Sequence, residues 1–155
     1  MSELAQQIQA DMVASMKAHD DLTRSTLRMA ISAIKNEQVA GKQARELTDS
    51  DVVIVLNREV AKRRDSAEAY TSGNRPELAA KELAEIEVLQ RYLPAALSDA
   101  ELDVLIANAL AQAEAQLGAK PTLKQMGVVM KTVTAEVAGR AEGGKVAAKV
   151  KAALA

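Results

Sequence analysis

The sequence contains no cysteine, which excludes disulfide bonds, thiolate metal sites and a cysteine nucleophile. Histidine is nearly absent as well, because His19 stands alone and cannot form a multi-histidine metal site or a paired-histidine relay. Since His19 precedes Asp20 and Asp21 at a predicted helix junction, we interpret it as a surface turn residue. The sequence therefore predicts no metal site and no bound cofactor.

Aromatic residues make up only 1% of the chain, with no Phe and no Trp. Hydrophobic residues still reach 48%, so the core must be built from Leu, Ile, Val, Met and Ala. Ala and unbranched side chains favour helices, whereas strands draw on aromatic and β-branched residues. The shortage of aromatic rings also argues against recognition of single strands by base stacking.

Targeting and membrane-spanning segments are absent from the sequence as well. The N-terminus has no leading basic region and no unbroken apolar run. No window approaches the about 20 apolar residues that cross a bilayer. We therefore expect a cytoplasmic protein without membrane association.

Charge is unevenly distributed behind a net value of -1. Residues 118–155 carry seven Lys or Arg and only two acidic residues, Glu136 and Glu142, whereas residues 98–117 carry four acidic residues and no positive charge. A basic end of this kind favours an anionic partner, although a solvated basic face has the same composition.

Helix signals recur along the whole chain. Apolar residues at helical spacing predict a first helix over residues 2–18 and a second from Asp20-Asp21 to Gly41. A capping box at Thr48 opens a third helix that ends at residues 72–74, and Pro76 fits the first turn of a fourth. These patterns predict about four N-terminal helices.

Pro94 ends the fourth helix, because proline disfavours helical geometry in the residue before it. A capping box at Ser98 opens a fifth helix that ends at Gly118, a sixth is predicted from Pro121, and a seventh follows the loop of residues 139–144. We therefore predict an all-α protein, with a helical bundle over residues 1–94 and a smaller bundle of about three helices over residues 95–155.

Two candidate catalytic patterns have simpler explanations. Residues 139–145 match G-x-x-x-x-G-K, but Val146 follows where a phosphate loop has Ser or Thr, and no strand precedes the match. We interpret this segment as a helix–helix loop whose N–H groups, beside Arg140 and Lys145, could contact a phosphate. The carboxylates at 82, 85 and 87 are predicted to form ion pairs, since no motif for a di-metal site accompanies them. No catalytic residue is predicted, and whether the chain is an enzyme stays open.

Basic residues recur at spacings of 4 and 7, which align them along a helix face. Such stripes suit contact with a phosphate backbone, because each contact releases counterions and needs no particular base. Lys42 and Lys120 extend these stripes, whereas Arg64 directly follows Lys62 and Arg63, and consecutive residues on a helix point in different directions. The predicted nucleic-acid-binding residues are Arg24, Arg28, Lys35, Lys62, Arg63, Lys124, Lys131, Arg140, Lys145 and Lys149.

Several segments are similar, in order and spacing, to the YqeY-like family. The segments are residues 26–29 (TLRM), 59–66 (EVAKRRDS), 70–78 (YTSGNRPEL), 82–94 (ELAEIEVLQRYLP), 125–131 (QMGVVMK) and 139–143 (GRAEG). That family shares its domain with the tail of GatB, the B subunit of glutamine-dependent transfer-RNA amidotransferase. One departure is Glu142, which stands where the family pattern has an Asp, and Glu caps a helix less well.

The resemblance implies an all-α fold, with residues 95–155 as the part similar to the GatB tail, and a role beside transfer RNA (tRNA). The family label of carbon–nitrogen ligase with glutamine as amido donor belongs to the whole amidotransferase, whose catalytic cradle is missing from this chain.

Three hypotheses follow. The first is a non-catalytic accessory protein that binds tRNA in connection with its glutamine-dependent amidation. The second is an adaptor that docks on an aminoacyl-tRNA synthetase or an amidotransferase, and the third is a component of the ligase itself. The sequence leaves the oligomeric state open.

Overall fold

The computed structural model describes all 155 residues and contains seven α-helices, one short 3-10 turn and no strand. The predicted all-α class is confirmed. The chain divides into two compact units, which we call unit 1 (Met1–Leu93) and unit 2 (Pro94–Ala155). The helices are α1 (Glu3–Lys17), α2 (Asp21–Val39), α3 (Asp49–Ser72), α4 (Pro76–Gln90), α5 (Asp99–Leu117), α6 (Met126–Val137) and α7 (Gly143–Leu154).

The predicted capping boxes at Thr48 and Ser98 both form. The Ser98 hydroxyl accepts a hydrogen bond from the Glu101 N–H at 3.1 Å, and the Glu101 carboxylate accepts from the Ser98 N–H at 2.9 Å. Thr48 and Asp51 make the same reciprocal pair at the start of α3. Two of the four unsatisfied N–H groups of each helix start are thereby bonded, which fixes where α3 and α5 begin.

The sixth helix begins later than predicted, at Met126 and not near Pro121. Thr122 caps a 3-10 turn, Leu123–Gln125, and the Thr122 N–H donates to the Gln125 side-chain oxygen at 2.8 Å. This local pairing closes a tight turn before α6, so Thr122 caps the turn and not the helix.

The core of unit 1 is aliphatic. Ile8, Leu27, Leu56 and Leu89, one from each of α1 to α4, are fully buried. Burial of each such side chain contributes about 1.5–3 kcal/mol of hydrophobic stabilisation. No helix of the protein is both long and apolar enough to cross a membrane.

Unit 2 encloses a separate core of smaller side chains. Leu102 and Ile106 of α5 pack with Val129 and Val133 of α6 and with Val150 of α7. Buried alanines on α5 and valines on α6 and α7 present little volume, so the three helices can approach closely. This packing leaves the opposite face of α6 in solvent.

Candidate nucleic-acid interface

The outer face of α6 is cationic. Lys131, Gly127 and Thr134 are exposed and lie within about 60° of one another around the helix axis. Lys124, in the 3-10 turn directly before α6, and Lys120 are exposed as well. None of these three lysines makes an ion pair, and no carboxylate lies on this face of α6. We use the name α6 face for Gly127, Lys131 and Thr134 of the helix together with Lys120 and Lys124 of the segment that leads into it.

Gly127 occupies the middle of the α6 face between Lys124 and Lys131. A Cβ atom added to Gly127 would meet no atom within 4 Å, and its backbone does not have the positive φ that favours glycine. Glycine in a helix costs about 1 kcal/mol relative to alanine, and nothing inside the chain requires it here. Gly127 is not among the residues predicted from the sequence, although its spacing of 3 and 4 from the two lysines signals it.

The other flank of α6 is acidic. A groove of about 230 Å3 between α5 and α6 is lined by Glu101, Glu136, Val104 and Thr132, among others. The positive charge of α6 is therefore confined to the α6 face.

The predicted lysines of α7 are engaged with α5. Lys149 lies 2.7 Å from the Asp103 carboxylate, and Lys145 pairs with Asp99. The hydrogen bond from Lys145 lowers the pKa of the Asp99 carboxyl, and the hydrogen bond to Asp103 raises the pKa of the Lys149 ammonium. The two lysines are thus locally neutralised. Lys145 and Lys149 are four residues apart, as are Asp99 and Asp103, so each set aligns along its own helix, but this spacing does not show that the two helices meet.

Arg140 caps the end of α6. Its guanidinium donates to the Val137 carbonyl from Nε at 3.0 Å and to the Glu136 carbonyl from Nη2 at 2.7 Å. Ala138 and Gly139 both have positive φ at this turn, and the Arg140 carbonyl accepts from the Leu97 N–H at 2.8 Å. The side chain therefore satisfies the carbonyl groups that a helix end leaves open.

The start of α7 has no side-chain cap, because Glu142 occupies the N-cap position without bonding the first turn. This outcome matches the weaker capping expected of Glu at this position.

The predicted basic residues of unit 1 have different environments. Arg28 and Lys35 are exposed and make no ion pair, whereas Arg24 lies 3.2 Å from Asp21. All three border a groove between α1 and α2. Lys62 is exposed and lies 2.7 Å from Glu59.

Arg63 is buried, with only 6% of its surface exposed, so its assignment to a nucleic-acid interface is wrong. Its Nε donates to Glu85 Oε2 at 2.9 Å, and its Nη1 donates to Glu59 Oε2 at 3.0 Å. Burial raises the pKa of the Glu59 carboxyl, but hydrogen bonds from Lys62 and Arg63 outweigh it and leave that pKa below its usual value. Consecutive helix residues point in different directions, so Arg63 turns inward while Lys62 and Arg64 face solvent.

Comparison with known proteins gives a family and a group of relatives. A family model described as Yqey-like protein matches residues 5–154. The chain is similar to "Altered inheritance of mitochondria protein 41, mitochondrial" of Lachancea thermotolerans, at 32% identity over 68% of this chain and 57% of that protein. The protein of the same name in Saccharomyces cerevisiae is 30% identical over 63% of this chain and 52% of its own length. The chain thus spans about half the length of these curated relatives.

The names of these relatives contradict the expected cytoplasmic location, since each is called a mitochondrial protein. That expectation is withdrawn. It rested on the missing targeting pattern in the first residues of the sequence, which does not determine the compartment.

Proposed function

The chain belongs to the Yqey-like protein family, and from this premise we propose that it binds tRNA as a non-catalytic accessory protein. The observation that carries the proposal is the α6 face, where Lys120, Lys124 and Lys131 are exposed and have no carboxylate partner. Unpaired lysines release counterions when they meet phosphates, and this release is the main source of affinity for a nucleic-acid backbone.

Lys145, Lys149 and Arg140 have a secondary place in this proposal. Exposed ion pairs contribute at most about 1 kcal/mol, so Lys145 and Lys149 can exchange Asp99 and Asp103 for a phosphate at small cost. Arg140 holds the end of α6, from which the loop to α7 begins. Its substitution would alter the loop as well as the charge.

Filter binding to total tRNA tests the proposal. We expect the affinity to fall steeply between about 50 and 200 mM salt, because binding by several lysines releases several counterions. The double variant Lys124→Glu/Lys131→Glu should lose most of the affinity, with an unchanged circular dichroism spectrum. Arg64→Glu/Lys81→Glu reverses two exposed, unpaired cations of unit 1 and should bind as the wild type does.

Absent binding, or binding that does not depend on salt, would refute the proposal. Equal losses in the two double variants would show that only net charge matters and that the α6 face is not the site.

The setting that we propose for this binding is glutamine-dependent amidation of tRNA, on the strength of the resemblance to the GatB tail. Adding the chain to a reconstituted amidotransferase reaction at limiting tRNA should raise the rate, and Lys124→Glu/Lys131→Glu should not. An amidation reaction that stops completely when the chain is left out would instead support the ligase component.

A further inference from the structure

A groove of about 490 Å3 runs between α1 and α2 in unit 1. Its floor is apolar and is formed by Met12 and Met16 of α1 and Ile31 of α2. Met16 is 52% exposed, and Met12 and Ile31 are half-buried. Methionine side chains are flexible and polarisable, so they adapt to the shape of an apolar partner.

The rim of the groove is positively charged. Arg24, Arg28 and Lys35 of α2 line it, and Arg28 and Lys35 make no ion pair. Arg24 lies 3.2 Å from Asp21, but both side chains are exposed and such a pair contributes at most about 1 kcal/mol. The rim therefore offers cations that an incoming carboxylate can bind with little competition.

The spacing of these cations matches a helix. Arg24, Arg28 and Lys35 are separated by 4 and 7 residues, which corresponds to about 6 and 10 Å along the axis of α2. Carboxylates on a second helix lying along α2 repeat at the same distances when they are 4 and 7 residues apart. Met12 and Met16, one turn apart on α1, face the apolar positions of such a helix.

From this arrangement we infer that the α1–α2 groove binds an acidic amphipathic helix of a partner protein. The apolar face of that helix covers Met12, Met16 and Ile31, and carboxylates along one edge pair with Arg24, Arg28 and Lys35. This mode places an apolar helix face in a hydrophobic groove and uses charge to set its direction and register.

The apolar floor distinguishes this groove from the α6 face. A nucleic-acid backbone presents sugars and phosphates and has no apolar ridge that would cover the two methionines. Bases that leave a helix stack on aromatic rings or on Arg guanidinium planes; the groove has no aromatic residue, and its two arginines line the rim and not the apolar floor. The inference is independent of tRNA binding by unit 2.

The probe is a synthetic helical peptide of about 16 residues, roughly 24 Å long, with leucines along one face and glutamates 4 and 7 residues apart along its edge. A peptide of the same composition in scrambled order is its control. Fluorescence anisotropy on the full chain measures affinity, and NMR spectra of the methionine methyl groups locate the peptide. We expect the helical peptide to bind and to shift the Met12 and Met16 resonances, and the scrambled peptide to do neither.

Variants of the chain separate the two parts of the groove. Arg28→Glu/Lys35→Glu should weaken peptide binding about tenfold or more, because attraction becomes repulsion. Met16→Gln should weaken it at unchanged charge, and its exposed position makes loss of folding a minor concern. Arg64→Glu/Lys81→Glu, the charge-matched control, should bind the peptide as the wild type does.

Each contrary result overturns the inference. The first contrary result is absence of peptide binding, and the second is equal affinity for the scrambled peptide. The third is a peptide affinity that Arg28→Glu/Lys35→Glu leaves unchanged. If tRNA or anionic vesicles shift the Met12 and Met16 resonances and the helical peptide does not, the groove belongs to that other partner. The tRNA affinity of Lys124→Glu/Lys131→Glu is measured in parallel, so failure here and failure of the proposed function are distinguished.

Discussion

Units 1 and 2 place their polar residues in different parts of the structure. Five polar or charged residues of the protein are buried, and all of them lie in unit 1. They are Ser15, Thr23, Thr26, Arg63 and Glu85. Every buried residue of unit 2 is apolar. In unit 1 charge is part of the core, whereas in unit 2 every charge is at the surface. Substituting a buried charge of unit 1 should therefore change stability, whereas substituting an unpaired surface lysine of unit 2 should act mainly on ligand binding.

The largest expected effect comes from breaking the buried ion cluster of unit 1. Arg63→Met leaves the Glu85 carboxylate buried without a cation and should lower the free energy of unfolding by about 3–5 kcal/mol. Both tyrosines, Tyr70 and Tyr92, lie in unit 1, so tyrosine fluorescence during urea unfolding reports on that unit alone.

The double variant Arg63→Met/Glu85→Leu provides the control for this prediction. Removing both charges should restore most of the lost stability, because the uncompensated carboxylate is then gone. Arg64 is the exposed neighbour of Arg63, and Arg64→Met should change the free energy of unfolding by no more than about 0.5 kcal/mol. A small effect of Arg63→Met would show that the cluster does not matter for unit 1.

The second prediction concerns the surface of unit 2 and compares two pairs of lysines. Lys124→Ala/Lys131→Ala should reduce the slope of log affinity for tRNA against log salt by about 2, since each lost phosphate contact reduces it by about 1. Lys145→Ala/Lys149→Ala removes the same charge but should reduce the slope by less, because Asp99 and Asp103 already partner these residues. Equal changes would mean that the ion pairs open fully on binding.

The structure shows which of these features can be predicted from sequence. The capping boxes at Thr48 and Ser98 depend on contacts three residues apart, so the local pattern was sufficient. Arg63 pairs with Glu85, 22 residues away, and Lys149 pairs with Asp103, 46 residues away. Helix periodicity aligns residues on a face but does not say which face is covered or by what. The groove between α1 and α2 was missed for the same reason.

The third prediction uses Gly127 to test the α6 face, because one substitution there should raise stability and lower tRNA affinity. Gly127→Ala should stabilise unit 2 by up to about 1 kcal/mol, because alanine favours the helix and the added Cβ meets no neighbouring atom. The same change should weaken tRNA binding if a phosphate backbone approaches Gly127 closely. Thermal unfolding followed by circular dichroism and filter binding measure the two effects.

Gly143→Ala is the matched control, since Gly143 is also exposed, helical and without a neighbour within 4 Å. It lies at the start of α7 and is not one of the residues of the α6 face. If Gly143→Ala weakens tRNA binding and Gly127→Ala does not, the contact lies at the loop before α7 and not at the α6 face.

The smallest expected effect is a pH dependence of stability that differs between the units. In unit 2 the hydrogen bond from Lys145 lowers the pKa of the Asp99 carboxyl, and in unit 1 the hydrogen bond from Arg45 holds the pKa of the Asp51 carboxyl far below its usual range. A carboxyl whose pKa is lowered by folding stabilises the fold fully above its unfolded pKa of about 3.9. That stabilisation is lost as the pH falls through the folded pKa.

Because the pKa of Asp51 is held so low, its contribution to unit 1 should persist to more acidic pH than that of Asp99 to unit 2. Amide hydrogen exchange of α5 and of α3 between about pH 2 and 5 measures the two contributions separately. Asp99→Asn should flatten the pH dependence of exchange in α5 and leave that of α3 unchanged. Because Asp99 and Lys145 are exposed, added salt should reduce the α5 effect, and insensitivity to salt would contradict an origin in this ion pair.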